Sequence, residues 1–159
     1  MISEFTGENA FLSNFYPAKF IYNGIEFKTT EHFYQAMKTL EPGKFYDIIN
    51  AETPMQAKKL GSKVKVRPDW DDVKVKVMKK ALEFKFNIPD LRMKLLMTGE
   101  EELIEGNYWH DNIWGICNCS ECGNNGQNLL GKLLMERRAE IRKELKEKTN
   151  ETSSKIAYF

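Results

Sequence analysis

Start and stop signals for helices recur so closely along this chain that it can hardly fold as anything but a set of short helices. Thr29 and Thr30 offer hydroxyls that suit an N-cap, and the helix they open reads to about Leu40, before Pro42-Gly43. Thr53-Pro54-Met55-Gln56 is a second start: a capping threonine, a proline at the first helical position and a glutamine that completes a capping box. Gly61 ends that helix. A third opens after Pro68 with Asp69 as cap candidate, and Trp70, Val73, Val77, Ala81 and Phe84 fall on one face at spacings of three and four. The run Val73–Val77 also alternates like a strand, but the longer register through Phe84 favours helix. Leu91, Leu95 and Leu96 mark a fourth helix that stops at Thr98-Gly99. The last carries Leu130, Leu133, Leu134, Arg137, Ile141 and Leu145 along one side only.

Between and before these helices the chain reads differently. From Phe11 to Phe27 it is irregular or extended, and Lys19–Tyr22 and Ile25–Phe27 can pair as a small hairpin about Asn23-Gly24. Glu105 to Gln127, rich in Gly, Asn and Cys, reads as a long loop whose Tyr108, Trp109 and Trp114 argue against disorder. The expected fold is therefore mainly α: a single multihelical domain over residues 1–148, with a short N-terminal extended or hairpin segment and a long Trp/Cys loop. A polar tail over residues 149–159 is expected to fray.

At 159 residues the chain suits one domain. Lys+Arg 24 against Asp+Glu 23 leaves no global attraction for nucleic acid or membrane, so any phosphate contact must be local. No apolar run approaches the roughly 20 residues of a membrane span. Met1-Ile2-Ser3-Glu4 lacks the basic stretch and apolar core of a signal peptide. An odd number of cysteines, all within Cys117–Cys122, is not a secreted disulfide framework, and a cytoplasmic protein is expected.

The residues with most chemistry lie in Thr30–Lys38. On a helix Glu31, Gln35 and Lys38 stand at i, i+4 and i+7 on one face, as a carboxylate, an amide and an amine in line. The dipole would hold Glu31 as the carboxylate a general base needs. The same pattern also describes a solvated face with an acid well placed for the dipole. In Phe11–Pro17, Asn14 can hydrogen-bond a base edge while Phe15 or Tyr16 stacks on it, or the segment is simply a lid on the core. In Asn107–Gly115, Asp111 offers a second acid beside tryptophans able to sandwich a flat ring. Two acids converging on a glycosidic carbon stabilise an oxocarbenium-like transition state and direct water. Otherwise the tryptophans anchor a loop and Asp111 caps a turn. Gly123–Asn128 precedes the last helix, where backbone amides could cradle a phosphate or form a plain turn and cap. His110, Cys117, Cys119 and Cys122 supply four soft ligands, but Cys117-x-Cys119 is tighter than the usual zinc spacing. No cofactor is expected, and a metal is set behind three reduced thiols.

Taken in order, these segments resemble the NADAR family, the YbiA-like N-glycosidases. The resemblance runs through Phe11–Pro17 (FLSNFYP), Thr29–Lys38 (TTEHFYQAMK), Ala57–Gly61, Arg67–Trp70, Val77–Phe86, Leu103–Glu105, Asp111–Gly115 (DNIWG) and Gly126–Arg137 (GQNLLGKLLMER). It implies a mainly helical domain that hydrolyses N-glycosidic bonds. The substrates it implies are phosphoribosyl-amino-pyrimidine intermediates of riboflavin synthesis, or ADP-ribose attached to guanine. Its essential glutamate maps onto Glu31 and its essential tryptophan onto Trp114. Enzyme-type members often carry an acid two residues after that tryptophan, where this chain has Ile116.

The sequence thus leads to an N-glycosidase acting on a ribosylated or ADP-ribosylated base. Its partner is a small nucleotide-like molecule or ADP-ribosylated nucleic acid. Glu31 orients or deprotonates water or a ribose hydroxyl, Asp111 assists the departing amine, and Lys38 binds phosphate or attacks an opened ribose. Asn14, Phe15, Gln35, Trp114 and Asn128 bind substrate. A non-catalytic ADP-ribose- or nucleotide-binding module, made plausible by Ile116, and a metal-stabilised interaction domain are the rivals.

Overall fold

The computed structural model describes residues 1–157. The chain is mainly helical, with two small two-stranded sheets, and divides into two compact units: residues 5–88, and residues 1–4 with residues from 89 onward. None of the described helices is long and apolar enough to cross a membrane.

The first unit opens with a 3-10 turn over Gly7–Leu12, followed by β1 (Phe20–Tyr22) and β2 (Ile25–Phe27), antiparallel about Asn23-Gly24, both at positive φ. Alternation points Phe20 and Phe27 inward, and their rings lie 5.6 Å apart. Phe33, Phe84 and Phe45 complete an aromatic core with Ile48, Ile49, Ala57 and Ala81. Around it run α1 (Thr30–Ala36), α2 (Pro42–Ile49), α3 (Pro54–Gly61) and α4 (Trp70–Lys85).

α1 stops at Ala36 rather than Leu40. Met37 and Lys38 tighten into a turn, with Lys38 N–H donating to Gln35 O and Lys38 O accepting from Arg67 N–H at 2.8 Å. α2 replaces the expected break at Pro42-Gly43. Proline needs no partner at the first helical position, and Phe45, Ile48 and Ile49 give the helix an apolar face. In α3 the capping box forms in both directions: Gln56 N–H donates to Thr53 Oγ1 at 3.1 Å and Thr53 N–H to Gln56 Oε1 at 3.2 Å. At α4, Asp69 occupies the cap position, but its carboxylate pairs with Arg67 at 2.6 and 3.0 Å instead of capping.

In the second unit α5 (Pro89–Met97) packs on α6 (Leu129–Ile156), and Leu91 and Leu95 of the first and Leu130, Leu134 and Ile141 of the second are buried. Arginines of α6 satisfy the carbonyls left where α5 ends. Arg138 donates to Thr98 Oγ1 and Glu101 O, and Arg142 to Gly99 O. The polar run after Lys148, expected to fray, continues α6 as exposed helix to Ile156; residues 158 and 159 lie outside the described residues. The segment expected as plain loop contains a parallel pair, β3 (Gly106–Asn107) with β4 (Ile116–Cys117).

Phe27 is fully buried and touches Phe20, Phe33 and Phe45. Phe27→Ala should therefore cost about 3–5 kcal/mol of stability, read as a lowered urea midpoint.

Candidate active site

Every residue of α1 is buried. Glu31 lies on its first turn at 7% exposure, and its Oε1 accepts from Gln35 Nε2 at 2.7 Å. The reverse amide orientation would set two acceptors against each other, so Gln35 presents its nitrogen. The Glu31 backbone N–H donates to Asn14 O at 3.1 Å, which ties the Phe11–Pro17 segment to the helix start. Gly61 makes room for Gln35: a Cβ there would lie 2.8 Å from Gln35 Cδ. Buried polar atoms normally find partners. Asn14 Oδ1, Thr30 Oγ1 and Gln35 Oε1 have none, and all three belong to α1 or to the segment bonded to it. Unpartnered polar oxygens on the helix that carries Glu31, and on the segment bonded to it, suit a ligand bearing several hydroxyls or amines.

Lys38 lies one turn on, half-buried over the Tyr34 ring at 5.6 Å. Burial draws its amine below the ordinary lysine range; nearby Glu31 opposes that shift and Lys58 adds to it. Glu31, Gln35 and Lys38 thus belong to one electrostatic group. Phe15, in an Ser13-centred turn, has Lys58 Nζ 5.9 Å from its ring.

Two residues that the sequence reading passed over frame this region. Lys85 is fully buried in α4, with its amine donating to Ser13 O at 2.7 Å and near the Tyr16 and Phe86 rings. Its charge hid it, yet it continues the buried spacing Met78, Ala81, Leu82. His32 is also fully buried. Nε2 faces Ala51 O at 2.9 Å, which only a donor can satisfy, so Nδ1 accepts from the Thr29 hydroxyl at 2.7 Å. Thr29 Oγ1 in turn accepts from the His32 backbone N–H as the N-cap.

In the second unit the loop over residues 105–128 is held by three asparagines. Asn107, at 1% exposure, accepts from Trp109 and Asp111 N–H and donates to Asp111 O. Asn112 Oδ1 accepts from Cys117 N–H at 3.0 Å. Asn128 accepts from Glu105 N–H at 3.0 Å and donates to Leu103 O at 2.9 Å, so both ends of its amide are engaged within the loop. Asp111 Oδ1 takes the amides of Ile113 and Trp114 at 3.1 and 2.9 Å and sets the backbone that carries the half-buried Trp114. Gly115 is required where the chain crosses Glu105 O: a Cβ would also lie 2.8 Å from Asn107 Nδ2.

At the start of α6 the amides that could have cradled a phosphate are engaged within the chain. Gln127, Asn128, Leu129 and Leu130 N–H donate to Asn112, Gly115, Ile113 and Trp114 carbonyls, so the amides that would face an anion are already bonded. The group able to hold a metal is His110 with Cys117, Cys119 and Cys122, whose ligand atoms all lie within 4.8 Å of one another. Burial raises the Cys117 thiol, but amides of Cys119 and His110 and the neighbouring thiols outweigh it and bring it to about 7.

The NADAR domain model matches residues 3–142. The chain belongs to the NADAR family. It is 41% identical over 138 residues to the N-glycosidase Npun_R5314 of Nostoc punctiforme, covering 82% of this chain and 84% of that protein. It is 35% identical over 136 residues to the N-glycosidase YbiA of Escherichia coli, covering 81% and 79%. The NMR structure of E. coli YbiA matches it with a TM-score of 0.77 at 33% identity, over 91% of this chain and 86% of that one. The riboflavin biosynthesis protein VVA0006 of Vibrio vulnificus is 35% identical over 137 residues; the match covers 84% of this chain but 36% of that longer protein.

Burial, opposed by the Ala51 hydrogen bond and reinforced by Lys28, holds His32 below the ordinary histidine range, so it folds neutral. Its contribution to stability is complete above the unfolded value of about 6.5 and is lost as pH falls below it. The melting temperature should drop more steeply between pH 7.5 and 5 for wild type than for His32→Gln. Equal slopes would mean that His32 is not the titrating group.

Proposed function

We propose that this NADAR protein is an N-glycosidase that cleaves the bond between a ribosyl carbon and a base nitrogen, with residues 1–148 as its catalytic domain. One observation carries the reading: a carboxylate at 7% exposure on the first turn of α1, hydrogen-bonded by Gln35, on a helix and an adjoining segment that also hold buried polar oxygens without partners. Glu31 accepts a proton from water or from a ribose hydroxyl as the glycosidic bond breaks. The oxygen of water goes to the ribosyl carbon and a proton to the departing nitrogen. Asn14 and Gln35 take hydrogen bonds from the sugar and Phe15 stacks on the base. The family resemblance assigns base stacking to Trp114 as well. Within its own unit Asp111 serves by fixing the Trp114 backbone, and Asn128 serves by fixing the loop.

The depressed Lys38 amine favours nucleophilic work over phosphate binding, because a lysine that gives up its proton readily is a poor anion anchor and a good nucleophile. On this route the amine adds to the carbon of an opened ribosyl imine and expels the base amine. Water then hydrolyses the resulting Schiff base and returns the free lysine.

The substrate is a ribosylated or ADP-ribosylated base. Riboflavin intermediates stand first, since one relative is named a riboflavin biosynthesis protein. ADP-ribosylated guanine is the second candidate, and the protein is expected to act in the cytoplasm.

Glu31→Gln should lower turnover a hundredfold or more while preserving the fold, since the replacement amide oxygen can still accept from Gln35. Release of free base, followed by chromatography from phosphoribosyl-amino-pyrimidine and from an ADP-ribosylated guanine oligonucleotide, reads both activity and substrate. Wild-type turnover in that variant rejects Glu31 as the base. Gly61→Ala, which pushes Gln35 off Glu31, should cost roughly ten- to a hundredfold in kcat/KM. Borohydride added during turnover should attach ribose to wild type and not to Lys38→Arg; no adduct leaves direct attack by water.

A further inference from the structure

We propose that His110, Cys117, Cys119 and Cys122 bind one structural zinc ion that clasps the tryptophan loop. The four side chains come from separate places. Cys117 is presented, fully buried, by β4, where Asn112 Oδ1 holds its N–H and the Asn107–Cys117 pairing fixes its register. Cys119 and Cys122 come from the turn that follows, and they supply the Cys-x2-Cys spacing that the tighter Cys117-x-Cys119 pair obscures. His110 comes from before β4, and its left-handed backbone, φ +68°, swings the ring toward the sulfurs.

The imidazole-to-sulfur distances are close to those of a coordination shell, and all four ligand atoms lie within 4.8 Å of one another, so the sulfurs need draw in only slightly on an ion. His110 Nδ1 lies 3.3 Å from Cys122 Sγ, 3.5 Å from Cys119 Sγ and 3.9 Å from Cys117 Sγ. With Zn–S of about 2.3 Å and Zn–N of about 2.0–2.1 Å, a tetrahedral site requires N···S edges of about 3.6 Å. The three observed edges bracket that value. Hydrogen bonding alone gives no reason for the arrangement: a neutral imidazole nitrogen can accept from one thiol, not from three. A disulfide accounts for no more, because three cysteines leave one over and none of them is paired. A thiolate-rich, tetrahedral set with one imidazole selects zinc over magnesium, calcium or manganese, which prefer oxygen ligands.

Four protein ligands close the shell, so the ion is structural and has no open position for water or substrate. Its task is to hold a loop that is otherwise kept in shape by side-chain amides. The proposal is independent of the glycosidase reading, and metal content is measured without turnover.

The test is zinc content of the full-length protein, purified under reducing conditions, reconstituted with excess zinc and desalted. About one equivalent is expected in wild type, and less than about half an equivalent overturns the proposal. The double variant Cys119→Ser/Cys122→Ser should fall to background, whereas His110→Cys should keep its metal, because four-cysteine sites are equally competent. Equal zinc in wild type and the double variant would place the metal elsewhere. Should the double variant fail to fold, cobalt decides on wild type alone. Thiolate-to-cobalt charge transfer with the strong visible bands of a tetrahedral site supports the assignment. The weak spectrum of an octahedral ion excludes it.

Discussion

A carboxylate loses most of its hydration when it is buried, and that loss is tolerable only where the fold returns hydrogen bonds to it. Glu31 receives one from Gln35, four residues along the same helix, and sits at the helix start, where the dipole favours negative charge. Much of the surrounding structure reads as support for that arrangement. Gly61 ends α3 without a side chain, so that Gln35 keeps its place. The Phe11–Pro17 segment is bonded through Asn14 O to the Glu31 amide, while the buried Lys85 amine grips Ser13 O of the same segment. His32 anchors the opposite side of the helix start to Ala51 O and is neutral, so it brings no second charge into the interior. The aromatic core beneath α1 then fixes the helix through Phe33.

What could be read in the sequence follows from how local each interaction is. The Thr53–Gln56 capping box, the Thr29 cap and the Glu31–Gln35 pair each join residues three or four positions apart, so spacing alone exposes them. α2 was obscured because Pro42 was read as a break, although proline at a first helical position is as much a beginning. Lys85 was obscured by its charge, since burial of a lysine depends on a carbonyl 72 residues away. The loop was the least legible part. Asn107, Asn112 and Asn128 act through side-chain-to-backbone bonds that no periodicity records, and the engagement of the α6 amides by residues 112–115 depends on a chain reversal that spacing does not reveal.

The Cys/His cluster shows the same limit from another direction. Along the sequence the eye pairs Cys117 with Cys119 because they are nearest, and the spacing then looks wrong for a metal. In space the four ligand atoms lie together: Cys119 and Cys122 share one turn, and the other two donors arrive from a strand and from a loop residue in a left-handed conformation. A coordination shell is a statement about angles and distances. A list of spacings approximates it well only when all the ligands lie in one turn.

The loss of the α6 amides as an anion site bears on how any phosphate would be recognised. With those N–H groups bonded to loop carbonyls, the helix start contributes little beyond its residual dipole. The chain's net charge of +1 supplies no general attraction either. Recognition of a phosphorylated ribose then falls to individual cations. In the first unit Lys58 is exposed beside the Phe15 ring, whereas Lys38 is half-buried. Lys38 is drawn toward neutrality by burial, and Lys58 itself adds to the effect. Two lysines in one electrostatic group are thereby driven apart in character. Lys58 stays exposed to solvent, and burial makes the Lys38 amine give up its proton more readily. A site that holds a charged substrate and also uses an amine as nucleophile gains from such a division between one exposed and one half-buried lysine.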